Sequence, residues 1–464
     1  MVIAFARVYN NKTFLKTNGG GTSPPPFYIF LMKLSKYAYF LEFGDDVLCC
    51  NLISKVIFVI DREKYDLLMQ YAEQEERLGD VKPNLHSALV KLCIIVADDA
   101  DEMATIRYMY CSDVFDSKTY RLTLMPTMGC NFRCWYCYET RPHEAQIMSA
   151  EIQNSVVRHI ERQIEYNGIK MLVLDWFGGE PWLCFDTVMY PLSKRLMHLA
   201  DKHGVEFQHQ ITTNGYLIRT EHIEKIAELR FRSFQITLDG NRHFHQQVKK
   251  SADAYQRTVD NVIALCGIDG VNVGLRINFS DKNLEGITDI IDDFPPATRK
   301  RISISFQRIW RFKDLNTSYK ALLQPINQQF EDAGFHIDGF DMPRVQSCYA
   351  DREQQLVVAP DGLVFKCTAR DFNEQNCEGR LLSDGSVEWN QDKLHRRMGH
   401  FRFDNKKCFE CNLLPACFGP CSQKVLETAA TDLKKICNYK GLKLSIDEFL
   451  TKQYHEKFGK TVCV

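Results

Sequence analysis

Met171-Leu172-Val173-Leu174-Asp175-Trp176-Phe177-Gly178-Gly179-Glu180-Pro181 begins as an apolar run and ends on a glycine-rich turn, and a long amphipathic stretch, residues 185–202, follows it. An apolar run of this length closed by turn residues reads as a strand, and apolar positions three and four apart read as a helix. The same unit recurs on both sides. Strand-like runs fall at 121–124, 207–212, 233–238, 271–277 and 302–309, and helical stretches at 149–165, 221–229, 254–266 and 284–293. Six βα units in series predict an α/β fold, a partial (β/α)6 barrel with its sheet inside and helices outside. In such folds functional residues sit just after the strands.

The strand ends carry chemistry. After the first run comes Cys130-Asn131-Phe132-Arg133-Cys134-Trp135-Tyr136-Cys137. A CxxxCxxC spacing supplies three thiolates to a four-iron cluster and leaves one iron without a protein ligand. A structural zinc site needs four donors, and a disulfide suits an exported chain; both fit this run poorly. After the second run, Gly178 and Gly179 let a ligand approach the backbone, and Glu180 can accept from an ammonium. Thr213 and Asn214 close the third run, Thr237 and Asp239 the fourth, and Arg276 and Asn278 the fifth. Their hydroxyls, amides and guanidinium suit ribose or carboxylate contacts, and each also suits an ordinary turn or cap.

With Tyr136 before its last cysteine, the run resembles the signature of radical S-adenosylmethionine (radical SAM) enzymes. The resemblance implies that Cys130, Cys134 and Cys137 hold a [4Fe-4S] cluster whose open iron is chelated by SAM, and that an electron from the cluster releases a 5′-deoxyadenosyl radical. It also implies that Gly178, Gly179 and Glu180 bind the SAM amino group. Tyr136, Thr213, Asn214, Thr237, Asp239, Arg276 and Asn278 are the remaining expected SAM contacts, with Arg276 toward the carboxylate and Asn278 toward the ribose. His243 and His245 are expected at the surface or one layer behind the site.

A second cysteine pattern follows: Cys348, Gly362, Cys367, then Cys408, Cys411, Cys417, Cys421 and Cys437. A zinc ribbon can be built from the central four. The whole array resembles the SPASM domain, the auxiliary-cluster domain of radical SAM enzymes that modify peptides and proteins. By that resemblance Cys408, Cys411, Cys417 and Cys437 hold one auxiliary [4Fe-4S] cluster, and Cys348, Cys367 and Cys421 hold another. The second then lacks one cysteine, which leaves it open or ligated by another side chain, with Cys377 a substitute candidate, or by substrate. Three clusters in all are implied, and an auxiliary cluster that takes an electron from a substrate radical completes a two-electron oxidation. Sulfatase-maturing enzymes carry Asp after the position of Cys367; this chain has Thr368, with Asp371 three residues further on as a weak candidate base. The expected activity is therefore oxidative modification of a ribosomally made peptide, with formylglycine formation as the alternative.

At 464 residues, 45% hydrophobic, the chain is long enough for two or three domains. A net charge of −1 argues against binding nucleic acid through phosphate neutralisation. The sequence divides into a tail (1–36, with Gly19-Gly20-Gly21 and Pro24-Pro25-Pro26), an α+β unit (37–118), the barrel (119–335) and a cysteine-rich segment (336–464). In the α+β unit, strands at 37–42 and 47–60 precede helices at 63–76 and 85–95. That layout resembles winged-helix peptide-recognition elements, and it equally fits an appendage packed on the barrel. Eighteen cysteines without an export signal or membrane-spanning run predict a cytoplasmic protein with reduced thiols. Cys463 reads as an incidental tail thiol. The implied partners are a precursor peptide and an electron donor such as flavodoxin or ferredoxin. A different class, a noncatalytic iron–sulfur carrier or zinc-stabilised interaction protein, has no use for the strand-end residues Gly178, Gly179, Glu180 and Arg276.

Overall fold

The computed structural model describes residues 32–72, 75–139, 146–309, 319–338, 347–399, 401, 403–428, 437 and 446–458. Cys463 and most of the expected tail lie outside them. The N-terminal unit contains β1 (Met32–Leu34), β2 (Ala38–Phe43), β3 (Asp46–Asn51), β4 (Val56–Asp61) and β5 (Ile95–Ala97), with helices Arg62–Gln70, Glu75–Val81, Pro83–Lys91 and Glu102–Val114. β1 begins inside the stretch read as a tail and pairs antiparallel with β5. The run 47–60, read as one strand, is two. Asn51 Oδ1 accepts from the backbone N–H of Ile53 and Ser54, and Lys55 turns the chain at φ 58°. This Asx-type turn folds β4 back onto β3.

The barrel strands match their expected positions: β6 (Thr119–Leu124), β7 (Met171–Trp176), β8 (Glu206–Thr213), β9 (Phe231–Leu238), β10 (Asn272–Phe279) and β11 (Ile302–Arg308). They lie in sequential order and pair in parallel, so each strand's C-terminal end faces the same side. Helices Ala150–Asn167, Tyr190–Lys202, His222–Glu228 and Ala254–Cys266 connect them. The stretch 284–293 is a 3₁₀ segment, Ile287–Asp293, instead of an α-helix. Left-handed Gly286 precedes it and Pro295-Pro296 follows, leaving room for two turns only, with Ile287 and Ile290 buried on the three-residue repeat.

The sheet continues past the barrel. β12 (His336–Ile337) adds beside β11, and β13 (Gln355–Val358), β14 (Leu363–Phe365), β15 (Gly379–Leu381) and β16 (Val387–Trp389) extend the β6 edge, giving eleven strands among the described residues. β13 runs parallel to β6, and the three strands after it are antiparallel. Leu356, Val358, Val364 and Leu381 therefore share the main core with barrel residues such as Leu122, Trp176, Phe234 and Leu275.

A second core joins sequence extremes. Tyr37, Leu48, Ile106 and Tyr110 pack with Phe403, Leu414, Phe418, Phe449 and Tyr454. Phe43 stacks on Tyr454 at 4.2 Å between ring centroids, and Tyr454 Oη donates to Asp46 at 2.7 Å. The N-terminal unit is thus the packing partner of the cysteine-rich segment. Among the described residues no helix is long and apolar enough to cross a membrane.

Candidate active site

The C-terminal strand ends of the barrel enclose a cavity of about 550 Å³. Its wall includes Cys130, Cys134, Cys137 and nine of the ten expected SAM contacts: Tyr136, Gly178, Gly179, Glu180, Thr213, Asn214, Thr237, Arg276 and Asn278. The tenth, Asp239, sits one layer behind, fully buried, and its Oδ1 accepts from Tyr136 Oη and from Asn278 Nδ2 at 3.1 Å. Asn278 Nδ2 also reaches Tyr136 Oη at 3.0 Å, and Arg276 Nε donates to Asn278 Oδ1 at 3.2 Å.

The loop after β7 is built against the cysteine loop. A Cβ on Gly179 would fall 2.1 Å from the Gly129 carbonyl oxygen, and Gly178 holds φ +107°. Only glycine fits both positions. The N–H of Gly179 donates to Thr127 O at 3.2 Å and that of Glu180 to Gly129 O at 2.7 Å, stitching the two loops together. These glycines thus admit the close approach of the cysteine-bearing backbone, a role that a reading centred on ligand access does not contain. Glu180 is similarly engaged. It is buried, and its carboxylate accepts from Trp182 N at 3.0 Å, Thr213 Oγ1 at 2.7 Å and Asn214 N at 2.8 Å. Burial raises its pKa, against those bonds. The carboxylate ties the β7 exit to the β8 exit while still facing the cavity.

Sequence reasoning passed over Lys249. It ends the helix Arg242–Lys249, is buried, and places Nζ 3.1 Å from Asp239 Oδ2 and 3.4 Å from Cys134 Sγ. Burial works against its charge, but Asp239, Tyr136 and Cys134 outweigh that and hold its pKa well above the usual lysine range. His245, expected at the surface or behind the site, is completely buried against Asp239, and burial pushes its pKa down to about 3, so it is neutral. His243 is exposed.

The three cysteines fit a cluster by their donor chemistry and surroundings. They are half-buried on one loop, Phe132 N–H points at Cys130 Sγ from 3.4 Å, and Asn214 Nδ2 lies 4.0 Å from the same sulfur. Burial raises the pKa of Cys134, opposed chiefly by Lys249, so a thiolate there is compensated by an ammonium. Among the described residues no three His, Cys, Asp or Glu side chains gather around a single metal ion.

The same cavity reaches the cysteine-rich segment, because Tyr349, Thr368 and Ala369 form part of its wall. Tyr349 Oη lies 4.0 Å from Cys367 Sγ and pairs with Thr368 Oγ1 at 2.7 Å, and Ala369 N–H approaches Cys367 Sγ at 3.4 Å. Cys421 lies close enough to Cys367 to raise its pKa, and Cys348 and Cys367 both act on Tyr349. Cys367 and Cys421 are thus close to each other, and Cys348 adjoins Tyr349 in the chain. Cys408 is bound to Asn405 through both atoms of the amide, and Cys411 contributes to the raised pKa of Tyr37. Cys417 ends a short helix, and Cys437 is exposed. Cys377 donates to Glu374 O at 3.1 Å and packs near Phe365.

Asp371 is outside the cavity wall; Asp175 is in it. On β7, Asp175 lies between Thr123 of β6 and Gln210 of β8 in the register. Removal from bulk water pushes its pKa up to about 7, opposed by a hydrogen bond from Thr123 and by the charge of Arg121. Nothing in the residue pattern of the strand singles this carboxylate out, because its environment comes from the two neighbouring strands.

Residues 124–294 match the Radical SAM superfamily. A GTP 3′,8-cyclase of Nautilia profundicola is 27% identical over 202 residues, 42% of this chain and 57% of that enzyme, so the chain spans little over half of this relative's length. The mycofactocin maturase MftC of Mycolicibacterium smegmatis is 24% identical over 329 residues, 65% of this chain and 77% of the maturase. The structure of anSMEcpe with bound AdoMet and a Kp18Cys peptide superposes with a TM-score of 0.50 at 18% identity, covering 73% of this chain and 96% of that one. The fold is shared across that span. The matching residues cover the cysteine loop, the Gly178-Gly179-Glu180 turn and the Arg276–Asn278 strand end, and the chain accordingly carries a radical SAM domain.

Proposed function

We propose that this protein is a radical SAM maturase that oxidatively modifies a ribosomally made peptide. One observation carries the reading: a single cavity runs from Cys130, Cys134 and Cys137 to Tyr349, Thr368 and Ala369, beside Cys367. A substrate in this cavity would lie between the thiolates that would hold the SAM-binding cluster and the Cys367 side of the cysteine-rich segment. When bound at the three cysteines, the cluster and SAM supply a 5′-deoxyadenosyl radical that takes a hydrogen atom from the substrate. Cys348, Cys367 and Cys421 would hold the nearer auxiliary cluster, and Cys408, Cys411, Cys417 and Cys437 the further one.

The chain's own residues supply the rest. Tyr136 and Asn278, held from behind by Asp239, form one hydrogen-bonded wall against which a ribose can sit, and Arg276 and Lys249 offer cationic partners to a carboxylate. Asp175, poised near neutral pH in the cavity, takes the proton that the substrate loses when its radical gives up an electron. The Kp18Cys peptide bound to anSMEcpe and the similarity to the mycofactocin maturase MftC support a peptide as the substrate class. Reduced flavodoxin or ferredoxin supplies the electron, and the cytoplasm keeps the thiols reduced.

The test is anaerobic reconstitution with iron and sulfide, followed by chromatography of 5′-deoxyadenosine after addition of SAM and dithionite. Co-expression with short peptides encoded beside the gene should then give a product two mass units lighter per oxidation. Iron absent and zinc present, with no 5′-deoxyadenosine, would reject the enzyme reading; cleavage accelerated by GTP and by no peptide would replace the substrate.

A further inference from the structure

The helix Arg242–Lys249 starts on the Asn241 cap and stops at Lys249, where Lys250 turns the chain at φ 54°. Ten residues after Asp239, the chain thereby returns a buried ammonium to the cysteine loop. The Lys249 side chain is 3% exposed and that of Asp239 0%. Nζ divides its contacts between Asp239 Oδ2 at 3.1 Å and Cys134 Sγ at 3.4 Å, and lies 5.5 Å from the centroid of the Phe132 ring.

An ion pair this deeply buried is a poor source of stability, because desolvation offsets its attraction. Its value lies in the field it sets up at the sulfur. The charged or titratable groups facing Nζ are Asp239, Glu180, Tyr136 and Cys134, while His245 is neutral. Reducing a thiolate-ligated cluster adds a negative charge in a site that already holds Asp239. Hydrogen bonds to ligating sulfur and nearby positive charge favour the reduced form.

We infer that Lys249 sets the potential of the cluster at Cys130, Cys134 and Cys137: anchored by Asp239 and donating to Cys134 Sγ, it stabilises the reduced state that delivers the electron for SAM cleavage. This rests on the cluster assignment proposed above.

The test is an anaerobic redox titration of the reconstituted full chain without SAM, followed by electron paramagnetic resonance of the reduced cluster. Lys249→Met should lower the equilibrium constant for reduction at least about tenfold, a fall of about 59 mV for one electron. Lys249→Arg should largely restore it. Asp239→Asn, which removes a buried negative charge, should move the potential upward. Iron content and melting temperature report whether each variant folds, and if Lys249→Met does not, the direction of the Asp239→Asn shift decides. An unchanged potential in Lys249→Met, or a downward shift in Asp239→Asn, overturns the inference; this holds even if SAM binding weakens. A wild-type chain without the reduced four-iron signal would instead defeat the cluster assignment.

Discussion

The two cysteine regions are supported in different ways. Cys130, Cys134 and Cys137 hang on a loop held by neighbours in the same sheet: Gly179 and Glu180 from β7, Asn214 from β8, Lys249 from the helix after β9. Cys408 and Cys411 instead pack on a core half supplied by the N-terminal unit. Lys36 Nζ donates to Phe409 O at 2.5 Å, and Tyr37 has its pKa pushed up to about 12, by burial first and then by Glu102 and Cys411. The loop of Cys130, Cys134 and Cys137 therefore depends on the main sheet and its core, whereas the loop of Cys408 and Cys411 depends on contacts between residues more than 300 positions apart. The two should fail separately.

The sharpest way to break that comparison is to remove one cysteine from each region. Cys134→Ala should abolish 5′-deoxyadenosine formation. Cys411→Ala should retain part of it while losing mature product and the iron of the C-terminal site. Equal loss of cleavage in both would show that the regions are not independent.

Asp175→Asn is expected next in size, a drop of about 10² to 10⁴ in product formation with SAM cleavage retained, as for loss of a general base. Product formation by the wild type should fall as pH drops below about 7, and the variant should lack that limb. The stability dependence has the opposite sense. Because folding raises this pKa, the protonated carboxyl favours the folded state at low pH, and that contribution of about 4 kcal/mol is lost as pH rises toward and through 7. Chemical melts at pH 5 and 8 should show wild type losing stability relative to Asp175→Asn at the higher pH.

Tyr110→Ala probes the other support. Tyr110 is buried against Phe401, Phe403 and Phe418 at centroid distances of 5.4–5.7 Å, and its truncation should cost about 3–5 kcal/mol. Iron bound by the C-terminal cysteines should be lost before cleavage activity is, a sequence that metal analysis after partial thermal challenge would reveal.

The parallel barrel was legible because each βα unit announces itself: an apolar run, a turn, then a helical repeat, all within a local window. The strand-end residues were legible for the same reason, since a parallel sheet fixes where its functional edge lies. Three features were not local. The eleven-strand sheet depends on β13 choosing β6 as its partner, more than 200 residues away. The second core joins Tyr37 to Phe449, two apolar residues that a one-dimensional pattern cannot pair. Lys249 acquires its chemistry from burial beside Asp239, and Asp175 from its place in the cavity wall beside Thr123, and neither strand nor helix periodicity signals such surroundings. The role of Gly179 was visible as a glycine and misread as to what approaches it, because the approaching group is the backbone at Gly129.

The smallest expected effect separates charge from packing at the junction of the two supports. Arg107 pairs with Asp404 at 2.8 Å, both side chains about one-third exposed, and its guanidinium lies 4.7 Å from the centroid of Phe401. At that exposure water and salt screen the ion pair, so Asp404→Asn should cost no more than about 1 kcal/mol and the cost should shrink in high salt. Arg107→Ala removes the same charge pair together with the stacking over Phe401 and the packed aliphatic stem, so it should cost more, with an excess of about 0.5–1 kcal/mol that salt does not remove. Denaturant titrations of both variants at low and high salt would measure this difference. Equal costs at high salt would assign the whole contact to charge, and the N-terminal support of the cysteine-rich segment would then rest on its apolar core alone.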